Sequence, residues 1–210
     1  PPSPPLNLRR QRQMCIRDRK GIDLLMDSMT HLNDEPLYLY VVGEAVLGGA
    51  EVVPSANVEF LGWRPRNTLQ GLFARADAVV MPSRWEGFGM VAIEAMCCGT
   101  AVIASNRGAL PELVRDGETG LIFDLDDPDG LVGTLKSLDK AELQRMGRAG
   151  RERYLSYFTA KVMNERLDVL YGALADGRDA AQARDAIAQM ETRANKDDRK
   201  EGGESGATVS

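Results

Sequence analysis

The sequence RWEGFGMVAIEAMCCGTAVIAS, residues 84–105, decides the fold of this chain. Its apolar run Met90–Cys98 predicts a helix that is apolar on every side except at Glu94. A Gly-Phe-Gly turn precedes this helix, and the apolar run AVIAS that follows it predicts a strand. A lone carboxylate in an apolar helix costs free energy unless a partner satisfies it, and Glu86 adds a second carboxylate just before the turn. The stretch therefore joins a glycine turn to a helix, with two carboxylates that need partners.

Short apolar strands alternate with helical patterns from Lys20 onward. The predicted strands are Leu37–Gly43, Val58–Trp63, Asp77–Ser83, 101–105 and 119–123. This alternation is typical of βαβ units, so we predict an α/β fold with a Rossmann-like parallel sheet flanked by helices. In such sheets, ligands bind beyond the carboxyl ends of the strands.

Three residues are predicted to set the ends of helices. Gly99 follows the apolar helix and is expected to end it, because glycine readily adopts the left-handed conformation found after helix ends. Asn67 is the expected N-cap of a helix that reaches Ala76. Asp127 is the expected N-cap of a helix with Pro128 at its first position.

The chain is predicted to contain four segments. Residues 1–19 are proline-rich and then basic with no apolar period, so we interpret them as an N-terminal arm outside the domain. A second interpretation is that this string is translated sequencing-adapter read-through at the end of an assembled fragment. Residues 20–172 form the predicted domain, 173–194 an Ala-rich helix, and 195–210 a disordered tail.

Charge and cysteine content narrow the classes of function. The net charge is -5, and residues 1–20 hold six basic side chains and one acidic one, which leaves -10 on the other 190 residues. An acidic body disfavours nucleic-acid binding. No apolar run approaches the ~20 residues that a membrane span needs. Cys15, Cys97 and Cys98 fit neither a disulfide framework nor a CxxC metal pair, which favours a reducing cytoplasm.

The turn before the apolar helix has the properties of an anion site. Gly87 and Gly89 allow backbone N–H groups to approach a phosphate, and the helix dipole adds roughly half a positive charge there. Helical side chains lean toward the N-terminus, so Glu94 can reach back to a ligand at the turn. A ribose diol would offer two hydroxyl donors to its two oxygens. Glu86 would then hold sugar hydroxyls or a developing positive charge.

Architectural explanations compete with these functional ones. Glu94 would in that case bond backbone N–H groups, and Glu86 would only cap the helix. A DxD pattern within Asp124–Asp129 matches a known metal-binding pattern, but helix capping by Asp127 explains it more simply. We therefore predict no metal site.

The E-x7-E spacing of Glu86 and Glu94, within PSRWEGFGMVAIEAMCCGTAVIAS, closely resembles the donor signature of retaining glycosyltransferases of family 4. These are group 1 glycosyl transferases with the GT-B fold. The LGW before Arg64, the string LPELVRDGETGLIF and the terminal helices extend the resemblance over residues 20–172. This span corresponds to the C-terminal, nucleotide-sugar-binding half of such enzymes.

The resemblance implies where a nucleotide-diphosphate sugar would bind. The backbone N–H groups of Phe88, Gly89 and Met90 would hold the diphosphate beside Gly87. Lys20 matches the family lysine that contacts the same diphosphate.

The resemblance also implies contacts to the rest of the donor. Glu94 would hold the ribose hydroxyls, and Glu86 would contact the donor sugar as the catalytic residue. Trp63 and Arg64 would border the base.

The reaction that the resemblance implies is transfer of a hexosyl-type sugar from a nucleotide-diphosphate sugar to an acceptor, with retention. The route is front-face, with the leaving phosphate assisting the acceptor. No metal or other cofactor is implied, because basic residues and the helix end stabilise the leaving group. Such carbohydrate biosynthesis, in the EC 2.4 class of enzymes, would take place in the cytoplasm. The acceptor, whether a sugar, a lipid or a small molecule, stays open.

The chain departs from the family in two ways. Cys15 stands where the family has a phosphate-clamping arginine, and the basic string replaces an apolar strand. The second phosphate clamp is therefore missing, and Arg17 and Arg19 are candidate substitutes for it. The N-terminal acceptor domain, through which any membrane contact would be made, is also missing, so we expect a donor-binding half. Two alternatives stay open: a split or non-catalytic nucleotide-sugar-binding module, and a GT-B epimerase or phosphorylase.

Overall fold

The computed structural model describes residues 19–43 and 55–189. The predictions for Cys15, for Arg17, for the arm before residue 19 and for the tail 195–210 lie outside these residues. The chain divides after Leu155 into two compact units.

The first unit alternates strands with helices, as the sequence predicts. Its strands are β1 Leu39–Val42, β2 Val58–Gly62, β3 Ala78–Met81, β4 Ala101–Ser105 and β5 Gly120–Phe123. Its helices are α1 Ile22–Thr30, α2 Arg66–Phe73, α3 Met90–Cys97, α4 Leu110–Leu113, α5 Gly130–Lys136 and α6 Lys140–Tyr157, the last of which continues into the second unit.

The strand pairings in the described residues are all parallel. β1 pairs with β2, and β4 lies between β3 and β5. Every residue of β4 is buried, and both α3 and α4 pack against this strand. A strand buried on both faces reads as a continuous apolar run, as AVIAS does. The predicted α/β fold with parallel sheets flanked by helices is confirmed. Within the described part of the chain, no strand pairing joins the β1–β2 pair to the three-stranded sheet.

One apolar core lies against both groups of strands. Helix α1 contributes its apolar face to this core, and α5 contributes buried leucines to it. The buried members are Leu25, Met26, Met29, Leu32, Val58, Ile103, Phe123, Leu131 and Leu135. Burying a leucine or phenylalanine side chain fully contributes about 1.5–3 kcal/mol relative to leaving it exposed. This core therefore fixes the scaffold that carries the loops at the carboxyl ends of the strands.

Helix α3 keeps its predicted bounds to within one residue. It runs from Met90 to Cys97, with Cys98 as its C-cap. Gly99 follows with φ 76, in the left-handed region, so the prediction that it ends the helix is confirmed.

The predicted N-cap of α2 is wrong. The helix begins at Arg66, and its N-cap is Pro65, whose backbone is extended at φ -69 and ψ 159. Asn67 therefore lies in the first turn, and its Oδ1 accepts the neighbouring Thr68 N–H at 2.8 Å. The proline already sets the backbone from which the helix starts, so no side-chain cap is formed there.

The predicted N-cap of α5 is also wrong. The helix begins at Gly130, with Asp129 as its N-cap. Asp127 instead makes a turn before the helix: its Oδ1 accepts the Asp129 N–H at 3.0 Å, and its carbonyl accepts the Gly130 N–H at 3.0 Å. An Asx turn competes with capping for the same aspartate oxygen, and here the turn is formed.

The second unit contains α7, Ala160–Ala175, and a helix over residues 180–189. Thr159 caps α7 by accepting the Val162 N–H at 3.2 Å. Among the helices that the structure describes in either unit, none combines the length and apolarity required to cross a bilayer.

Candidate functional site

The turn between β3 and α3 leaves backbone donors unpaired. Gly89 is the N-cap of α3, with φ 83, and no side chain caps the helix. Within residues 19–43 and 55–189, the N–H groups of Phe88, Gly89 and Met90 donate to no acceptor. The N-terminus of α3 thus combines free N–H donors with the positive end of the helix dipole, which is a favourable place for an anion.

Glu86 and Lys20 meet just before this helix. Lys20 Nζ forms an ion pair with Glu86 Oε2. Ser83 Oγ, which is fully buried, lies 3.5 Å from the same carboxylate oxygen. The Glu86 residue is only 8% exposed, so these partners offset the cost of burying its polar atoms. Glu86 does not cap α3, so the alternative that this carboxylate only caps the helix is wrong.

Glu94 lies one turn into α3 and is half-buried. In the described part of the chain, no hydrogen bond or ion pair reaches its carboxylate, so the backbone bonds of the architectural alternative are not formed. An unpaired carboxylate on an apolar helix retains its full capacity to accept hydrogen bonds from a ligand. Its negative charge also contributes to the environment of Cys98, where burial, with smaller effects of Cys97 and Glu94, raises the pKa of the thiol.

Trp63 and Arg64 follow the carboxyl end of β2. Trp63 is 69% exposed, and Arg64 Nη1 donates to the Trp63 carbonyl at 3.1 Å. No hydrogen bond, ion pair or ring contact between described residues joins this pair to Lys20, Glu86 or Glu94. The structure therefore brings together Lys20 and Glu86, and it leaves Trp63 and Arg64 as a separate exposed element.

Arg19 was a candidate replacement for the family's phosphate clamp. Its guanidinium lies over the Trp85 ring, 5.4 Å from the centroid. Its Nε is buried and has no hydrogen-bond partner among the described residues. Arg19 is therefore engaged with the side chain next to Glu86.

The loop after β4 supports Glu86 through contacts that the sequence did not predict. The Ala109 N–H donates to the Glu86 carbonyl at 2.9 Å. Gly108 has φ 58, and a Cβ at this position would lie 2.1 Å from the Glu86 carbonyl oxygen. Only glycine fits such an approach, and a glycine three residues after the predicted strand 101–105 was the signal available in the sequence.

The carboxylates of the DxD pattern, Asp124 and Asp126, bond to neighbouring protein groups. Asp124 Oδ1 accepts the Asn106 side-chain amide at 2.6 Å and the Asp126 N–H at 3.1 Å. The hydrogen bond from the Asp126 N–H has the largest effect on the Asp124 carboxyl, and together with that from Asn106 it holds the pKa of this carboxyl below its ordinary value. Asp126 pairs with Arg107. Among the described residues, no three His, Cys, Asp or Glu side chains come together as a metal site.

Comparison with known proteins places the chain among transferases of sugars. The family model "Glycosyl transferases group 1" matches residues 15–153. The D-inositol 3-phosphate glycosyltransferase of Corynebacterium diphtheriae is 40% identical over 139 residues, which are 65% of this chain and 32% of that protein. The chain spans about a third of the length of the curated relatives that it matches.

Solved structures resemble the fold. Sucrose-phosphate synthase from Thermosynechococcus elongatus gives a TM-score of 0.65 at 31% identity, over 76% of this chain and 43% of that chain. The C-terminal domain of a glycosyl transferase group 1 protein from Francisella tularensis gives 0.60 at 25% identity, over 69% of this chain and 83% of that domain. With most of its first unit inside the matched residues, this chain belongs to the group 1 glycosyl transferases and has the fold of GT-B glycosyltransferases.

Proposed function

We propose that the first unit binds a nucleotide-diphosphate sugar and is the donor half of a retaining glycosyltransferase of family 4. One observation carries the proposal: a lysine–carboxylate ion pair, Lys20 with Glu86, stands at a helix N-terminus whose N–H donors are unpaired. This places a cation, a carboxylate and anion-binding N–H groups together, as a sugar diphosphate requires. The similarity to group 1 glycosyl transferases supports the same assignment.

The diphosphate would bind at the N-terminus of α3. The N–H groups of Phe88, Gly89 and Met90 would donate to its oxygens, beside the open turn at Gly87. Lys20 would add a charged donor, because diphosphate oxygens can compete with the Glu86 carboxylate for its ammonium group. Backbone donors and a lysine are enough to stabilise a leaving diphosphate, so the proposal includes no metal or other cofactor.

The ribose and the sugar would lie on either side of the diphosphate. Glu94 would accept the two ribose hydroxyls, since its carboxylate has no partner among the described residues. Glu86 would accept hydroxyls of the donor sugar when Lys20 turns to the diphosphate. Trp63 and Arg64 would border the base, as the family resemblance implies.

The transfer itself would proceed with retention. The acceptor hydroxyl oxygen would bond to the anomeric carbon on the face from which the diphosphate leaves. The bond from that carbon to the phosphate oxygen breaks, and the hydroxyl proton passes to this oxygen. Glu86 would stabilise the positive charge that develops on the sugar ring. The sugar is proposed to be a hexosyl group and the cytoplasm its place of transfer.

A second candidate is nucleotide-sugar binding without turnover, in a split or non-catalytic module. The contacts at the N-terminus of α3 support this candidate equally, because all of them concern the binding of the donor. This candidate shares the donor site and differs only in the absence of transfer.

The deciding experiment is isothermal titration of the chain with UDP, GDP and ADP and with their sugars. Saturable binding of one nucleotide would support the donor site and would name the base. Chromatography of the reaction mixture then distinguishes the two candidates. An enzyme would hydrolyse or transfer the bound sugar, and a binding module would leave it intact. A folded chain that binds none of these nucleotides would refute both candidates.

A further inference from the structure

The chain segments that carry Lys20 and Glu86 are tied together at more than this ion pair. The Arg84 N–H donates to the Arg19 carbonyl at 2.7 Å. The Arg84 guanidinium donates two further hydrogen bonds, from Nη1 and Nη2 to the two carboxylate oxygens of Asp23, each at 2.7 Å. These contacts bracket the ion pair, because Arg84 lies two residues before Glu86 and Asp23 lies three residues after Lys20.

A close backbone contact lies inside the same bracket. A Cβ at Gly21 would lie 1.9 Å from the Pro82 carbonyl oxygen, so the backbones of the two segments touch at this point. Such an approach leaves little room for the segments to slide against each other without separating. The backbone contacts thus set how closely the two segments lie, and side-chain contacts can further restrict the rotation of one segment about the other.

The Arg84–Asp23 pair has the geometry that controls such a rotation. Two parallel N–H···O bonds between a planar guanidinium and a planar carboxylate fix orientation as well as distance. The guanidinium hydrogen bond also holds the pKa of the Asp23 carboxyl below its ordinary value, so the pair stays charged at neutral pH.

The same pair contributes little to global stability. The side chains of Arg84 and Asp23 are 42% and 54% exposed. Exposed ion pairs of this kind stabilise folded proteins only weakly. A two-point contact with little effect on stability, placed between the segments of two functional side chains, acts chiefly on geometry.

We propose that Arg84 and Asp23 form a positioning pair that sets Lys20 against Glu86. The pair touches neither donor nor acceptor. It holds the start of α1 at the angle from which the Lys20 ammonium group reaches the buried carboxylate, and its effect on donor binding rests on the proposed function. Displacements of about 1 Å are enough to impair a site built from such groups.

The first test measures the Lys20 side chain in the ligand-free protein. Lys20 is acylated with a water-soluble active ester, and the modified peptide is quantified by mass spectrometry. The variants are Asp23→Asn and Arg84→Gln, and the urea-denatured chain gives the rate of a free lysine. The matched control is Asp77→Asn, because the Asp77–Lys140 ion pair is also exposed and also joins distant segments.

We expect Lys20 to react about threefold to tenfold faster in both variants, as a loosened pair spends more time open. Asp77→Asn should leave the Lys20 rate unchanged, and all three variants should keep the melting temperature within a few degrees of wild type. An unchanged Lys20 rate in Asp23→Asn and Arg84→Gln would overturn the proposal, and so would an equal acceleration in the control.

The second test uses the donor and a rescue. Asp23→Arg combined with Arg84→Asp restores the ion pair with its charges exchanged, and it should slow Lys20 acylation again. Nucleotide-sugar affinity should fall about threefold to twentyfold in Asp23→Asn. In a Lys20→Met background, the same substitution should have no further effect, because the pair acts through Lys20. An undiminished effect in that background would show that Lys20 is not its target.

The two tests separate this proposal from the proposed function. The donor site is refuted and the positioning pair is supported if the wild-type chain binds no nucleotide while the Asp23→Asn variant shows faster Lys20 acylation. If the chain binds a nucleotide but Asp23→Asn leaves the rate of Lys20 acylation unchanged, the donor site is supported and the positioning pair is refuted.

Discussion

Lys20 and Glu86 lie 66 positions apart in the sequence, and their side chains form an ion pair at the N-terminus of α3. The Glu86 side chain is almost fully buried, whereas that of Lys20 is 28% exposed. Of the two partners, only the Lys20 ammonium group is within easy reach of solvent. Under the proposed function it is therefore the group that would turn to the diphosphate, while hydroxyls of the donor sugar take its place at the buried carboxylate.

Replacing Glu94 by alanine should weaken nucleotide-diphosphate binding. The change removes a carboxylate that would accept two ribose hydroxyls, at a cost of about 1–3 kcal/mol in binding free energy. Isothermal titration with the preferred nucleotide measures this loss. The control is Glu35→Ala, because Glu35 is also half-buried and lies before β1. Unchanged affinity in Glu94→Ala would remove the ribose assignment.

Replacing Glu86 should affect the intact nucleotide sugar more than the bare nucleoside diphosphate. Glu86→Ala removes the partner of the sugar hydroxyls, but it also frees Lys20 for the phosphates. We therefore expect a loss of roughly tenfold or more in sugar-nucleotide affinity, since a hydrogen bond to a charged group is worth about 1.5–3 kcal/mol, and a smaller loss for the diphosphate. Glu86→Gln keeps the size of the side chain, and it should also lose more affinity for the nucleotide sugar than for the nucleoside diphosphate. Equal losses for both ligands would contradict the assignment of Glu86 to the sugar.

Replacing Gly108 by alanine should destabilise the protein and displace Glu86. The new Cβ would lie 2.1 Å from a backbone oxygen that cannot rotate away, at a left-handed φ of 58. We expect the free energy of unfolding in urea to fall by about 3 kcal/mol or more. Gly133→Ala is the control, because a Cβ there meets nothing within 4 Å and Gly133 lies inside α5. That variant should gain roughly 0.4–1 kcal/mol, and similar losses in both would show that the contact with Glu86 is not the cause.

The Arg84–Asp23 pair should make a small, pH-dependent contribution to stability. The pKa of Asp23 is lower in the folded protein than in the unfolded chain, chiefly because Arg84 donates hydrogen bonds to it. The contribution is therefore fully present above the pKa that Asp23 has in the unfolded chain. It is lost as the pH falls through the lower pKa that Asp23 has in the folded protein. Asp23→Asn should lower the melting temperature slightly at pH 7 and leave it unchanged near pH 2. A larger difference at pH 2 than at pH 7 would contradict this sign.

Local pattern was enough to predict α3 and its surroundings. The apolar run Met90–Cys98, the glycine after it and the strand AVIAS depend on periodicity and on backbone preferences of neighbouring residues. The two N-caps were harder to predict, because Asn67 lies two residues after Pro65 and Asp127 lies two residues before Asp129, and these neighbours are the N-caps that the structure shows. Which of several adjacent polar side chains bonds a helix end depends on the path of the chain into it.

The sequence by itself determined the parallel α/β fold, the glycine turn before α3 and the spacing of Glu86 and Glu94, since each depends on residues close together in the chain. Only the tertiary structure decided that Glu86 pairs with Lys20, that Gly108 supports its backbone and that Arg84 binds Asp23. Glu86 and Gly108 become neighbours because β3 and β4 end at the same edge of the sheet. Lys20 and Asp23 reach this edge because the start of α1 packs against the segment after β3, and no local pattern specifies either approach.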